Sequence, residues 1–433
     1  MTKTIYLQPK NISNYSTNVT ARKPLRILQL CKKFPYPLKD GESLAVTYLS
    51  KALHELGCEI TLLAMNTSKH FFDISQLPAD FSHYKNIHTV AIDNEIRSLD
   101  AFNNLFSKKS FHINRFESAT YKKKLEELLR ENTFDIVQLE TLYLATFVDT
   151  IRSHSQALVV MRSHNVEFEI WERISHNTSN FFKKLYLNYL TKKLKNYEIS
   201  KLNDYDFLLP ITVRDENKFK DFGCKIPQLV VPIGLDISNY MAESASFNNI
   251  NLSISFIGSL DWLPNLEGLN WFLTNVWTKI NSQFPDIQFV IAGRNTPNWL
   301  RQKQYPQVKV AGEVASAVDF INQHPIMVVP LWSGGGMRAK ILEGMALGRV
   351  IITTSIGLEG IEAQNMSEIL IANTADEMLE QLRFCDENRE KMIEIGQRAQ
   401  VFVATRYDNY EIAENLISKY REIIICKSEI STF

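Results

Sequence analysis

Apolar residues in this chain gather in short runs, and polar or helically spaced segments separate the runs. LRILQL (Leu25–Leu30) has the length and character of a buried strand. A proline-containing loop, CKKFPYPLKDGE, leads into SLAVTYLSKALHELG, whose apolar residues recur at helical spacing and stop at Gly57. EITLLAM is the next strand. Strand, helix and strand in succession form a βαβ unit, which requires a parallel sheet. The alternation continues through IHTVAI, FDIVQLE, ALVVMRSH, DFLLPIT and LVVPIG, the last ending at Gly234.

Ala242–Ser253 (AESASFNNINLS) is polar and aperiodic, as a linker would be. A second series then begins: SISFIG, IQFVIAG, VKVAGEV, IMVVPL, VIITTS and EILIAN, with helical segments between most of them. Two such series predict an α/β protein with two doubly wound, Rossmann-like domains. The expected organisation is a flexible lead-in (1–24), a first domain (25–241), a linker (242–253) and a second domain (254–406). A last amphipathic helix within 407–433 should pack back on the first domain.

Composition narrows the functional classes. Lysine plus arginine equals aspartate plus glutamate at 48 each in 433 residues, which disfavours a dedicated nucleic-acid binder. Cys31, Cys58, Cys224, Cys385 and Cys426 are scattered without metal-ligand spacing, as in a reducing compartment. The polar start has no secretory h-region, and no apolar run approaches the ~18 residues of a membrane span. A cytoplasmic location is expected.

Ligands of open parallel sheets bind outside the carboxyl ends of the strands, so chemistry is sought in the loops that follow strands. The richest such loop lies in Val328–Ile361. A strand runs into Gly334, Gly335 and Gly336, and a helix read as MRAKILEGMAL comes next and stops at Gly348. Glycines admit close approach of a ligand to the backbone, and a helix N-terminus offers free N–H groups with a partial positive charge. That is the outline of a diphosphate site. Lys340 and Glu343 share a helix face, with Lys340 nearer the positive end and Glu343 a turn further on, where it can take ribose hydroxyls. Arg338 reaches the same place only from the first turn. Glu359, in the glycine-rich turn after the next strand, joins the donor-side set. The alternative is a tight strand–helix turn with a solvated Lys–Glu pair. Neither a Gly-x-Gly-x-x-Gly fingerprint nor a Walker lysine followed by Ser or Thr is present.

These residues resemble the donor-binding region of the family 4 retaining glycosyltransferases, which have the GT-B fold. In that family two glutamates eight positions apart lie here. The second corresponds to Glu343, and the first falls on Gly335, so the run resembles a branch with Gly-Gly-Gly-x-Arg-x-Lys-Ile-Leu-Glu. The resemblance implies two domains facing across a cleft, a nucleotide-sugar donor and ribose binding by Glu343; no Asp-x-Asp motif stands at a strand end, so neither cofactor nor metal is expected. Ser253–Phe272 is similar to the opening of the family's C-terminal domain, with Gly258 ending its first strand. Asp261, Trp262 and Asn265 stand where the family often has an arginine and a lysine for the phosphates, which makes Arg338 and Lys340 the candidate substitutes. FVIAGRNTP resembles the family's second strand and loop and places Gly293 and Arg294 near the nucleotide. Gly41, at the head of the first helix, fits the family's first glycine-bearing loop.

His164, just after a strand in MRSHNVEFEIWERI, matches a histidine that lies beside the donor sugar in this family, where it can donate a hydrogen bond to a sugar hydroxyl or stabilise developing charge; the alternative is a satisfied loop histidine. Glu140, ending DIVQLE, is a weaker acceptor-side candidate. Phe181–Lys201 interleaves lysines with aromatic and leucine residues and could lie on anionic lipid, or it could be a solvated helix packed on its own domain. The expected activity is metal-independent sugar transfer to a carbohydrate or lipid-linked glycan with retention. An epimerase or phosphorylase on the same fold and a non-catalytic nucleotide-sugar binder are the alternatives.

Overall fold

The structure is a computed structural model that describes residues 23–38, 40–79, 81–94, 110–240, 252–302 and 304–430. Nearly all of the expected lead-in and of the expected linker lie outside these residues. Two compact units result. One runs to Gly234 and resumes at Asn409, and the other spans Leu235–Asp408.

Each unit has one parallel six-stranded sheet. The first contains β1 (Arg26–Cys31), β2 (Glu59–Thr67), β3 (Asn86–Ile92), β4 (Ile136–Leu139), β5 (Leu158–Ser163) and β6 (Phe207–Pro210), in the order β3-β2-β1-β4-β5-β6. The second contains β7 (Ser253–Ile257), β8 (Gln288–Ala292), β9 (Val308–Gly312), β10 (Ile326–Val329), β11 (Val350–Thr353) and β12 (Leu370–Ile371), in the order β12-β11-β10-β7-β8-β9. Both have one topology: the chain starts centrally, builds outwards one way, then returns to the centre and builds the other way. The switch points therefore lie between β1 and β4 and between β7 and β10, where such sheets open a crevice at their carboxyl ends.

Helices cover the sheets because strands buried on both faces must be apolar throughout. The central strands are buried along nearly their whole length, with Leu30 registered against Leu63 on β2 and Leu139 on β4. Six helices border the candidate sites or close the core: α1 (Gly41–Glu55), α2 (Glu167–His176), α3 (Phe181–Lys201), α4 (Leu263–Trp271), α5 (Ala339–Ala346) and α6 (Asn409–Ile430). Ala413, Leu416 and Tyr420 of α6 enter the same buried cluster as Leu25, Val46 and Ile60, so the last helix completes the core of the first unit.

Two expected elements differ. LVVPIG is not a strand. Leu229 and Val231 donate to the carbonyls of Leu208 and Pro210 beside β6, but Pro227 and Pro232 lack the N–H groups that a continuous ladder needs. The helix read as MRAKILEGMAL begins two residues late, at Ala339. Arg338 is extended (φ −96°, ψ 95°) and stands at the N-cap position without a side-chain capping bond, because the glycine loop still turns through Gly334 and Gly336, both at positive φ.

Candidate functional site

In the unit 235–408, the loop after β10 and the head of α5 adjoin the end of β7. Lys340, the second residue of α5, extends its ammonium to the carbonyl of Ile257 (3.1 Å) and to Oδ1 of Asn265 (2.9 Å). It also lies 4.9 Å from the centre of the Phe256 ring. Asn265, on α4, is held in turn by donating to the carbonyl of Ser259. Gly258 is what permits this approach, since a Cβ there would lie 2.8 Å from Asn265 Nδ2 and 3.1 Å from Lys340 Nζ. Among the described residues no carboxylate is within ion-pair distance of Lys340. Burial and the neighbouring Arg338 pull its pKa down to about 7, against a smaller opposing pull from Glu343. Lys340 therefore reaches the end of β7 from the head of α5, and Asn265 receives it.

Glu343 does not pair with Lys340. Its Oε1 accepts from the hydroxyl of Tyr240 (3.0 Å), a buried residue in the turn Ile237–Tyr240. Burial raises the Glu343 pKa, against the lowering effects of that hydrogen bond and of Lys340. The solvated Lys–Glu pair that the spacing allowed is thus absent: both residues are half-buried and each has its own partner. Tyr240 leaves no mark in the sequence pattern, because it precedes the second series by more than a dozen residues and carries no periodic signal.

Arg338 folds back onto its own loop. Its Nη1 donates to the carbonyls of Gly335 and Gly336, which braces the glycine turn. Arg294 is half-buried, and its Nε donates to Ser259 Oγ (2.7 Å), so it supports the loop after β7 alongside Asp261 and Asn295. Gly293 is required by packing, because a Cβ would lie 2.0 Å from the Gly258 carbonyl oxygen. Glu359 sits half-buried in the turn beyond β11, next to Gly360 at φ +87°, and its backbone N–H donates to the carbonyl of Ile356 (3.3 Å).

Gly41, Glu140 and His164 belong to the other unit. Gly41 opens α1, and a Cβ added there would meet nothing within 4 Å, while Asp40 caps the helix through Ser43 N (3.0 Å) and pairs with Lys33 (2.7 Å). Glu140 follows β4 at the switch point, and His164 follows β5. Glu140 is buried. Its carboxylate takes Gln29 and Gln138 on one oxygen and His164 Nε2 (3.1 Å) on the other. Burial alone would raise its pKa, but Arg162, His164 and Gln29 outweigh burial and hold it at about 2. Nearby, Tyr143 donates to Glu167 (3.0 Å), and Lys32 pairs with Glu42 (3.1 Å). Glu198 of α3 turns inward and accepts from the backbone of Glu167 and Phe168, capping α2. Burial and Glu167 lift its pKa to about 8.

Among the described residues no group of three or more His, Cys, Asp and Glu side chains is arranged to hold a metal ion, and no helix is long and apolar enough to cross a membrane.

Comparison with known proteins agrees with this architecture. Residues 251–388 match the family model for glycosyl transferases group 1. The "uncharacterized 44.6 kDa protein in cps region" of Klebsiella pneumoniae is 23% identical over 408 residues, covering 91% of this chain and 99% of that protein. Sucrose-phosphate synthase from Thermosynechococcus elongatus superposes with a TM-score of 0.67 at 14% identity, over 93% of this chain and 100% of its own. Anabaena HepE in complex with UDP-glucose superposes with a TM-score of 0.61 at 13% identity, over 92% and 100%. The chain thus has the two-unit Rossmann-like fold of the GT-B glycosyltransferases, and its residues 251–388 are similar to the group 1 glycosyl transferases.

Proposed function

We propose that this protein transfers a sugar from a nucleotide-diphosphate donor to a carbohydrate or lipid-linked glycan, with retention and without a metal ion. The observation that carries the reading is Lys340: a half-buried ammonium at a topological switch point, beside a glycine turn and a helix N-terminus, with neutral oxygens as its only hydrogen-bond partners among the described residues. Such a group is incomplete without an anion, and a diphosphate supplies one. In this reading Lys340 and the N–H groups at the head of α5 take the negative charge that develops on the departing diphosphate. Glu343, oriented by Tyr240, accepts from the ribose, and Arg338 keeps the glycine turn in shape. Gly293 and Arg294 shape the loop that borders the nucleotide, while Gly41 and Glu359 line the donor at its margins. The acceptor hydroxyl attacks the anomeric carbon from the face that the phosphate leaves, and the nucleoside diphosphate departs with the bonding pair and takes up the hydroxyl's proton. His164 serves the transferred sugar. HepE, which has this fold, is known in complex with UDP-glucose, which makes UDP-sugars the first donors to try.

The test is a thermal-shift panel of nucleotide sugars, since a ligand that binds only the native state raises the melting temperature. The second step is nucleoside diphosphate release with and without oligosaccharide acceptors. Release that depends on acceptor and survives chelator supports transfer. Epimerised donor without nucleotide release, or tight binding with neither transfer nor hydrolysis, would replace this reading with one of the alternatives. Loss of activity in chelator, restored by magnesium or manganese, would overturn metal independence.

A second surface supports work at an anionic lipid face. On α3, Leu187, Leu190, Leu194 and Glu198 are buried, whereas Phe181, Phe182 and Leu185 are 71%, 79% and 61% exposed. Phe181, Leu185 and Tyr189 recur every fourth residue and form a stripe opposite the buried face. Lys183, Lys184, Lys192 and Lys193 accompany it, and the helix's one acidic residue, Glu198, is turned inward. Apolar rings interleaved with lysines suit anionic phospholipid better than a neutral partner. Vesicles containing phosphatidylglycerol should sediment the protein and pure phosphatidylcholine should not. The double variant Phe181→Ser, Phe182→Ser should stay in the supernatant. Equal sedimentation of that variant, or a dimer in solution that buries the stripe, would reject lipid as the occupant.

A further inference from the structure

The contacts of His164 determine which of its nitrogens is available. Glu140 lies between β4 and the switch point with its carboxylate enclosed: Gln29 and Gln138 donate to Oε1, while Oε2 faces His164 Nε2 at 3.1 Å and Arg162 Nη1 at 3.5 Å. Arg162 is itself buried and anchored on the carbonyl of Ala45 (2.9 Å), so Glu140 already has a fixed cation at its side. An ionised carboxylate only accepts hydrogen bonds. The proton between the two residues must therefore sit on His164 Nε2. In a neutral imidazole the other nitrogen is then an acceptor. Among the described residues, Nδ1 of His164 makes no hydrogen bond.

We propose that Glu140 is a positioning residue that holds His164 as the Nε2–H tautomer and leaves Nδ1 as the working nitrogen, an acceptor for a hydroxyl of the transferred sugar. This deepens the proposed function and rests on its placement of His164 at that sugar. It differs from the two roles read from the sequence, donation to a sugar hydroxyl or stabilisation of developing charge. It also narrows the chemistry His164 can meet. A hydroxyl, which has a proton to give, satisfies Nδ1, whereas an ionised phosphate oxygen has none and is disfavoured there. The buried charge set supplies the orientation: the carboxylate fixes the ring, and Arg162 balances the carboxylate without occupying the histidine. This is the arrangement by which a neighbouring acceptor selects a histidine tautomer.

Two measurements decide it. The first is nitrogen-15 NMR of ring-labelled histidine at pH 8, with the His164 signal identified by its disappearance in His164→Gln. The expected spectrum has a protonated Nε2 and an unprotonated Nδ1, and a protonated Nδ1 would overturn the proposal. This reading is taken on the unaltered protein, so it stands even if Glu140 variants fold poorly. The second measures UDP release from UDP-glucose in Glu140→Gln, His164→Ala and the double variant. Glu140→Gln should lower kcat about 10- to 100-fold with the KM for UDP-glucose nearly unchanged, and should add nothing in the His164→Ala background, because residues acting as a unit are not additive. An equal loss with and without His164 would show that Glu140 acts independently and would reject the positioning role. If His164→Ala releases UDP at the normal rate, the placement of His164 at the sugar fails, while the tautomer assignment is still judged by the spectrum.

Discussion

Lys340 should make donor affinity depend on pH. Its ammonium has a pKa near 7 in the free protein because burial and Arg338 disfavour the charge. A nucleotide sugar carries a diphosphate diester that stays fully ionised near neutrality, so any proton taken up on binding goes to the protein. Placing that anion against Lys340 restores the charged form and raises its pKa toward the ordinary lysine value of about 10.4. The sign comes from linkage. The complex holds the proton more tightly than the free protein, so affinity is full below pH 7 and falls as pH rises from 7 towards the pKa of the complex. The slope in that window is at most about tenfold per pH unit, which sets a ceiling of roughly 100-fold weaker binding at pH 9 than at pH 7. Lys340→Met keeps an unbranched apolar stem in the same place, over Phe256, and removes the titrating charge. It should bind more weakly at pH 6.5 and show a flat profile. Without donor, the native protein binds fewer protons than the unfolded chain between pH 7 and about 10.4, so this residue's contribution to stability rises with pH across that range. Lys340→Met should therefore melt no lower than the parent at pH 7. Calorimetric titration of the best donor from pH 6.5 to 9 measures the effect. A flat profile for the parent, or unchanged affinity in Lys340→Met, would refute the assignment of Lys340 to the diphosphate.

Gly258→Ala should lower donor affinity while retaining the fold, because its Cβ falls on Asn265 Nδ2 and Lys340 Nζ, both movable side-chain ends; isothermal titration with a folded-state control by circular dichroism reads this. Gly293→Ala, whose Cβ meets the Gly258 carbonyl oxygen at 2.0 Å, should instead destabilise by about 1–3 kcal/mol or more, measured by urea unfolding. Glu343→Ala should cost about 1.5–3 kcal/mol of nucleoside diphosphate affinity, and Tyr240→Phe less, since the carboxylate remains and loses only its orienting donor. Acid should weaken the first unit through Glu140. Its pKa is held at about 2, so the stability it contributes is present above the ordinary glutamate range near 4.3 and is lost as pH falls towards 2; parallel acid titrations of the parent and Glu140→Gln, monitored by tryptophan fluorescence, should show a steeper loss in the parent.

The pattern of apolar runs carried the fold class, the twelve strands among the described residues in two parallel sheets, and the glycine loop with its helix. These features are local or nearly so. A buried strand must be apolar throughout, a helix must repeat at 3.6 residues, and a backbone turning at positive φ favours glycine, so each leaves a mark within a short window. The thirteenth expected strand, LVVPIG, had the apolar signature but was excluded by its prolines, whose effect depends on which neighbour the ladder must join. Candidate residues were legible by type and by position after strands, which is how Lys340, Glu343, Arg338 and His164 entered the set. Their partners were not. Lys340 with Asn265 is a pairing across 75 residues, Glu343 with Tyr240 one across 103, and His164 with Glu140 one across 24. Only the order of strands in each sheet brings the ends of β7 and β10, or of β4 and β5, side by side. The sequence by itself thus determined which residue types stand at strand ends and helix heads, because backbone geometry demands them locally. The tertiary structure alone decided that Arg338 braces a loop, that Glu140 is buried behind His164, and that Lys340 lacks a carboxylate partner among the described residues, because burial and charge balance depend on what distant segments pack around a group.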